Sequence, residues 1–164
     1  MTNQHVKTNP EQCEISVPLI AGAWHGFTSE LLTANLCDDG NFRVDCIPWF
    51  TKGINKQDVI RARRDKNGFA YSEVVKRSGH STFRIFLKIE TIQLPGEKEL
   101  NPDFSQLVEA LDYFSCSIEA CSLKLHSIDV PPKEGTGVRH AVADLLRVGF
   151  DDGLLDWEDA TFPD

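Results

Sequence analysis

From Cys13 to Ile92 apolar and polar side chains alternate in short runs, and after Leu94-Pro95-Gly96 the apolar positions recur at helical spacing instead. Residues 13–20 (CEISVPLI) read as a strand that Pro18 ends or places at a sheet edge. Residues 21–26 are a small-residue loop with one aromatic, Trp24, and FTSELLTANL after it reads as a second strand. Asp38-Asp39-Gly40 then predicts a hairpin into FRVDCI, with Phe42, Val44 and Cys46 on one face and Pro48 as its stop. VIRARR and FAYSEVVKR flank Asn67-Gly68, a second hairpin signal. Ser78-Gly79-His80-Ser81 reads as a third turn, opening a long strand, TFRIFLKIETI. There Phe83, Ile85, Leu87 and Ile89 make an apolar face, and Arg84, Phe86, Lys88 and Glu90 an amphipathic one. These runs predict an antiparallel meander that curls into a small barrel or packs a face on helices.

Asn101 as N-cap, Pro102 as first helical residue and Asp103 in the first turn open a helix carried by Phe104, Leu107, Val108 and Leu111. Residues 117–128 (SIEACSLKLHSI) read as one strand. Val138, Ala141, Val142, Leu145 and Leu146 mark a second helix, capped by Thr136 at its start and by Gly149 at its end. The expected class is α+β: a meander or small barrel followed by a β-α-β-α segment whose first crossover is right-handed. The expected organisation is a flexible leader over 1–12 and one domain over 13–164, divided into a β-rich part (13–92), the β-α-β-α part (93–150) and an acidic tail (151–164).

Composition narrows function. A formal net charge of -8 disfavours nucleic acid, which needs a basic surface, and suits a basic protein partner. No apolar run reaches the ~20 residues of a membrane span and residues 1–14 lack a signal-peptide core, so the expected location is cytoplasmic. Five scattered cysteines without a CxxC pair predict buried structural thiols, and no metal or cofactor is expected. No nucleophile elbow, HExxH or P-loop is present. Arg61, Arg63, Arg64, Lys66, Lys76 and Arg77 form a basic strand edge that discourages aggregation.

Two surfaces are candidates. The turn at Arg77, Ser78 and His80 has cationic, hydroxyl and titratable groups that could hold an anion, against the simpler reading of a capped hairpin turn. The tail interleaves Asp151, Asp152, Asp156, Glu158 and Asp159 with Trp157, so it either pins itself to the body or, with Trp49, docks a partner.

Residues 42–62 and 74–87 resemble the bacterial family catalogued as domain of unknown function 4265. The shared features are Ile47-Pro48-Trp49-Phe50, Gly53, Asp58-Val59 and Arg77-Ser78-Gly79-His80-Ser81-Thr82-Phe83-Arg84, with Phe83 in place of the family's aliphatic residue. The family has no settled biochemistry. Small acidic bacterial proteins of this kind resemble immunity proteins, which implies a non-enzymatic inhibitor that occludes a toxin's active site. The alternative is a small-ligand binder or enzyme built on Arg77 and His80.

Overall fold

The computed structural model describes residues 12–88, 102–133 and 137–162. Of the expected leader over 1–12, residues 1–11 lie outside the described residues, as do the proposed Asn101 and Thr136 caps and the end of the long strand past Lys88, while Gln12 opens a strand. The chain is α+β, with a five-stranded closed barrel followed by a four-stranded sheet carrying two helices.

The barrel comprises β1 (Gln12–Pro18), β2 (Ser29–Leu36), β3 (Phe42–Val44), β4 (Val59–Asp65) and β5 (Gly68–Lys76). Successive strands pair antiparallel, and a short parallel contact of β1 with β5, Ile15 opposite Phe69, closes the ring. Alternation in β1 to β4 sends Ile15, Leu32, Ala34, Phe42, Val44 and Ile60 into the core. Both predicted hairpin turns form. Gly40 (φ 80°) and Gly68 (φ 129°) supply the positive φ, and Asp39 and Asp65 accept from the backbone N–H two residues on.

The second unit runs β6 (Ser81–Leu87), α1 (Pro102–Tyr113), β7 (Ser117–Ala120), β8 (Leu125–Val130), α2 (Val138–Asp151) and β9 (Leu155–Asp159). The spatial order β7-β8-β6-β9, with every neighbouring pair antiparallel, is the split β-α-β-β-α-β arrangement. Both helices pack on one face, where Phe83, Ile85 and Leu87 meet Phe104, Leu111 and Leu146.

Four sequence expectations change. The Ser78–Ser81 turn is no hairpin: β5 stays in the barrel while β6 centres the second sheet, so this stretch links the two units. Residues 117–128 form a hairpin, not one strand, because the Ser122 hydroxyl accepts from the N–H groups of Lys124 and Leu125 and turns the chain. Gly149 is not a C-cap: it lies inside α2, which runs on to Asp151, and its missing side chain makes room for Leu155, whose Cδ2 would sit 3.2 Å from a Cβ. Of the two readings left open for the tail, the structure has the pinned one, with β9 paired along β6 from Phe83 opposite Asp159 to Leu87 opposite Leu155. The cysteines are all half-buried, not buried.

Candidate functional site

The face of β6 away from the helices is polar at its centre. Thr82 and Arg84 project there beside Ser127 and Asp129 of β8 and Glu158 of β9. A loop of the barrel, residues 45–58, lies across these groups. Ser127 donates to the Pro48 carbonyl (3.0 Å), Thr82 Oγ1 to Asn55 Oδ1 (2.8 Å) and the Gly53 N–H to Ala160 O (3.0 Å). Arg84 is 1% exposed, and its guanidinium donates to Glu158 (2.6 Å) and to the Thr51 carbonyl. The Ile47-Pro48-Trp49-Phe50 corner thus sets its Pro48 carbonyl, and the Thr51 carbonyl just after it, against the sheet. Its N–H groups face the other way: Trp49, Phe50 and Thr51 donate to the Glu30 carboxylate at 2.6, 3.0 and 2.6 Å.

The Arg77–Arg84 signature belongs to the same seam. Buried Asp58 accepts from Asn55 N–H (3.0 Å), Ser78 N–H (2.7 Å) and the Arg77 guanidinium (3.1 Å). Arg77 also donates to the Gly53 carbonyl, and Ser78 Oγ donates to Lys56 O (2.8 Å). The His80 ring binds the Asp129 carboxylate through Nδ1 (2.7 Å). Arg77, Ser78 and His80 are therefore occupied in joining barrel to sheet.

Beside this seam a cleft of about 560 Å3 opens between the barrel and the sheet. Its rim is the β1–β2 loop, residues 19–28, tied at its base by Leu19 N–H to Thr28 O (2.9 Å) and turned by two positive-φ glycines, Gly22 and Gly26. The loop holds Trp24 (55% exposed) and Phe27 (54% exposed). Trp24 packs edge-on to Phe86 of the sheet (ring centroids 4.8 Å) and tilted on Phe50 (5.9 Å), and Phe27 packs on Phe50 (4.8 Å). His25, Thr51, Lys52, Tyr71, Arg84 and Glu158 supply the polar lining. The Glu158 carboxylate lies 3.7 Å from Lys52 as well as against Arg84.

The tail residues are scattered by comparison. Trp157 faces the helices and packs edge-on to Phe83 (5.8 Å). Asp159 is paired with Arg139, and Glu158 lines the cleft. Asp151 and Asp152 are exposed at the end of α2, and Asp156 is exposed on β9. Trp49 is 36% exposed but does not line the cleft. Sequence reading missed Trp24 and Phe27 as site residues. The signal for Trp24 was an aromatic in a glycine-bracketed loop, outside any strand or helix period that would bury it, whereas Phe27 falls at the head of the strand read from the sequence.

Two half-buried thiols are held protonated. Burial pushes Cys46 and Cys116 up to about 11. Burial likewise lowers His126, whose ring packs on Phe104 (5.4 Å). Among the described residues no group of three or more His, Cys, Asp or Glu is placed to hold a metal, and no helix is long and apolar enough to cross a membrane.

The family described as Domain of unknown function (DUF4265) matches residues 30–157. The fold is similar to a solved structure described as a hypothetical protein from Neisseria gonorrhoeae (TM-score 0.73, 19% identity, 96% of this chain and 99% of that one covered). No curated protein matches the chain.

Proposed function

The chain belongs to the DUF4265 family, and from that premise we propose that it is a non-catalytic binding protein whose partner docks at the aromatic cleft between barrel and sheet. The observation that carries this reading is the exposure of Trp24 on the rim of a formed cavity at a junction of two units, with Phe27 exposed on the same loop. Large apolar groups at such a place are typical anchors of recognition sites. The engagement of Arg77, Ser78 and His80 in structural bonds weakens the alternative of an enzyme built on that turn. Comparative affinity capture from the native cell, followed by titration of the purified partner, tests the proposal. Trp24→Ala combined with Phe27→Ala should keep the fold, because both side chains are exposed, and should lose the partner. Retention of the same partner at the same affinity would move the site off the cleft.

A narrower reading, a cytoplasmic immunity protein that neutralises a bacterial toxin, finds support in Asp151 and Asp152. Both acids are exposed, next in the chain to Phe150 (49% exposed), and Asp152 lines a groove of about 480 Å3 between α1 and α2. An acidic, partly apolar patch complements a basic toxin surface. Protection of cells from the toxin should fall in Asp151→Asn/Asp152→Asn/Asp156→Asn, with association slowed most at low salt.

A further inference from the structure

We propose that the group entering the aromatic cleft is an amphipathic carboxylate, an aromatic or branched apolar body bearing one anionic head. The proposal rests on the cleft being the binding site and names what it takes. Arg84 and Thr51 both line the cleft, and both are at least nine-tenths buried. The Nε of Arg84 and the Oγ1 of Thr51 are buried and have no hydrogen-bond partner among the described residues. The rest of the guanidinium is engaged, by Glu158 and by the Thr51 carbonyl. Buried polar groups are nearly always paired, so each of these two orphans on bonded neighbours leaves a bond for an incoming group to make. A carboxylate oxygen can accept from both Nε–H and the Thr51 hydroxyl.

Charge selects the sign of that head. The charged groups lining the cleft are Arg84, Lys52 and Glu158, so the lining carries one positive charge in excess, within a molecule of net charge -8. Glu30 lies behind the loop and does not line the cleft, and its carboxylate is taken up by three backbone N–H groups. An aromatic rim would also attract a cation, but a cation here would face Arg84 and Lys52. Tyr71, whose phenol burial raises, keeps its proton and can donate. Trp24 and Phe50 wall the cleft for a flat or branched body, and its volume of about 560 Å3 suits a small group of that kind.

The carboxylate could belong to a free acid or to the C-terminus of a peptide ending in an aromatic residue. Isothermal titration and backbone NMR of the full chain separate these sources, using 3-phenylpropionate, 4-methylpentanoate and N-acetyl-Gly-Gly-Phe as probes, each against its primary amide. The expected result is at least tenfold tighter binding of one or more acids than of the matched amide, with shifts at Thr51 and Lys52. Lys52→Gln should weaken acid binding several-fold. Thr51→Val should weaken it too while leaving the melting temperature unchanged or higher, since it removes an unpaired hydroxyl. Equal binding of acids and amides overturns the inference and leaves the cleft reading standing. If no probe binds while Trp24→Ala/Phe27→Ala still loses the partner, the inference falls alone. If no probe binds and that double variant is indifferent, both fall.

Discussion

At the residue scale two buried acids, Glu30 and Asp58, repay close attention, because backbone N–H groups converge on each. Asp58 is fully buried and answers two N–H groups as well as Arg77. Its Arg77 partner is half exposed and can turn to water, so the loss in Asp58→Ala falls on the N–H groups of Asn55 and Ser78. At about 1–3 kcal/mol for each stranded donor, Asp58→Ala should cost about 2–4 kcal/mol in denaturant unfolding, and Asp58→Asn less. The thiols behave differently. With Cys46 and Cys116 near 11, only about 0.1% of either is thiolate at pH 8. Iodoacetamide mapping by mass spectrometry at that pH should find these two modified last. The sign of the linkage follows. A thiol raised in the folded state contributes stability below its unfolded value of 9.0, and that contribution is lost between pH 9 and about 11. Alkaline titration of Cys46→Ala should show a shallower decline over that window than the parent protein.

At the scale of elements, β9 changes what truncation can mean. Removing residues 151–162 would take away an edge strand, the Trp157 contact on Phe83 and the Glu158 partner of a buried arginine. The expected outcome is an unfolded or molten second unit, read by loss of near-ultraviolet dichroism. Point substitutions at Asp151 and Asp152, exposed at the end of α2, should leave the signal intact. The legibility of the elements follows the range of the information. Turn chemistry is local, so Asp39-Gly40 and Asn67-Gly68 announced their hairpins, and helical spacing announced α1 and α2. The Ser78–Ser81 turn looked the same locally, but whether β6 returns to β5 is decided by long-range partners. Arg84 did carry a hint: an arginine amid Phe83, Ile85 and Leu87 must find a carboxylate, and Glu158 lies 74 residues on. The cleft was illegible because Trp24, Tyr71 and Arg84 come from three separate stretches that only the packing of barrel on sheet brings together.

At the scale of the whole molecule, two units with separate apolar cores are joined by a seam in which buried side-chain hydrogen bonds recur. Arg84 is the member that reaches both sides, to Glu158 in the sheet and to Thr51 in the barrel loop. Hydrogen bonds are directional, so this seam fixes how the units sit and shapes the cleft between them, while each core supplies its own burial energy. Replacing Arg84 with Met keeps the volume and removes both links. Glu158 retains Lys52 and some solvent, so the cost should lie near the low end for a broken buried pair, about 3 kcal/mol. Two tryptophans report on the two sides separately, Trp49 in a barrel loop and Trp157 on β9, whereas Trp24 touches Phe86 of the sheet. In single-tryptophan backgrounds the parent protein should give coincident denaturant midpoints from either side. In Arg84→Met the midpoints should separate, because the link that makes the two units unfold together has been cut. Coincident midpoints in both proteins would show that the other hydrogen bonds of the seam, Thr82 to Asn55 and Ser127 to Pro48, hold the two units together without Arg84.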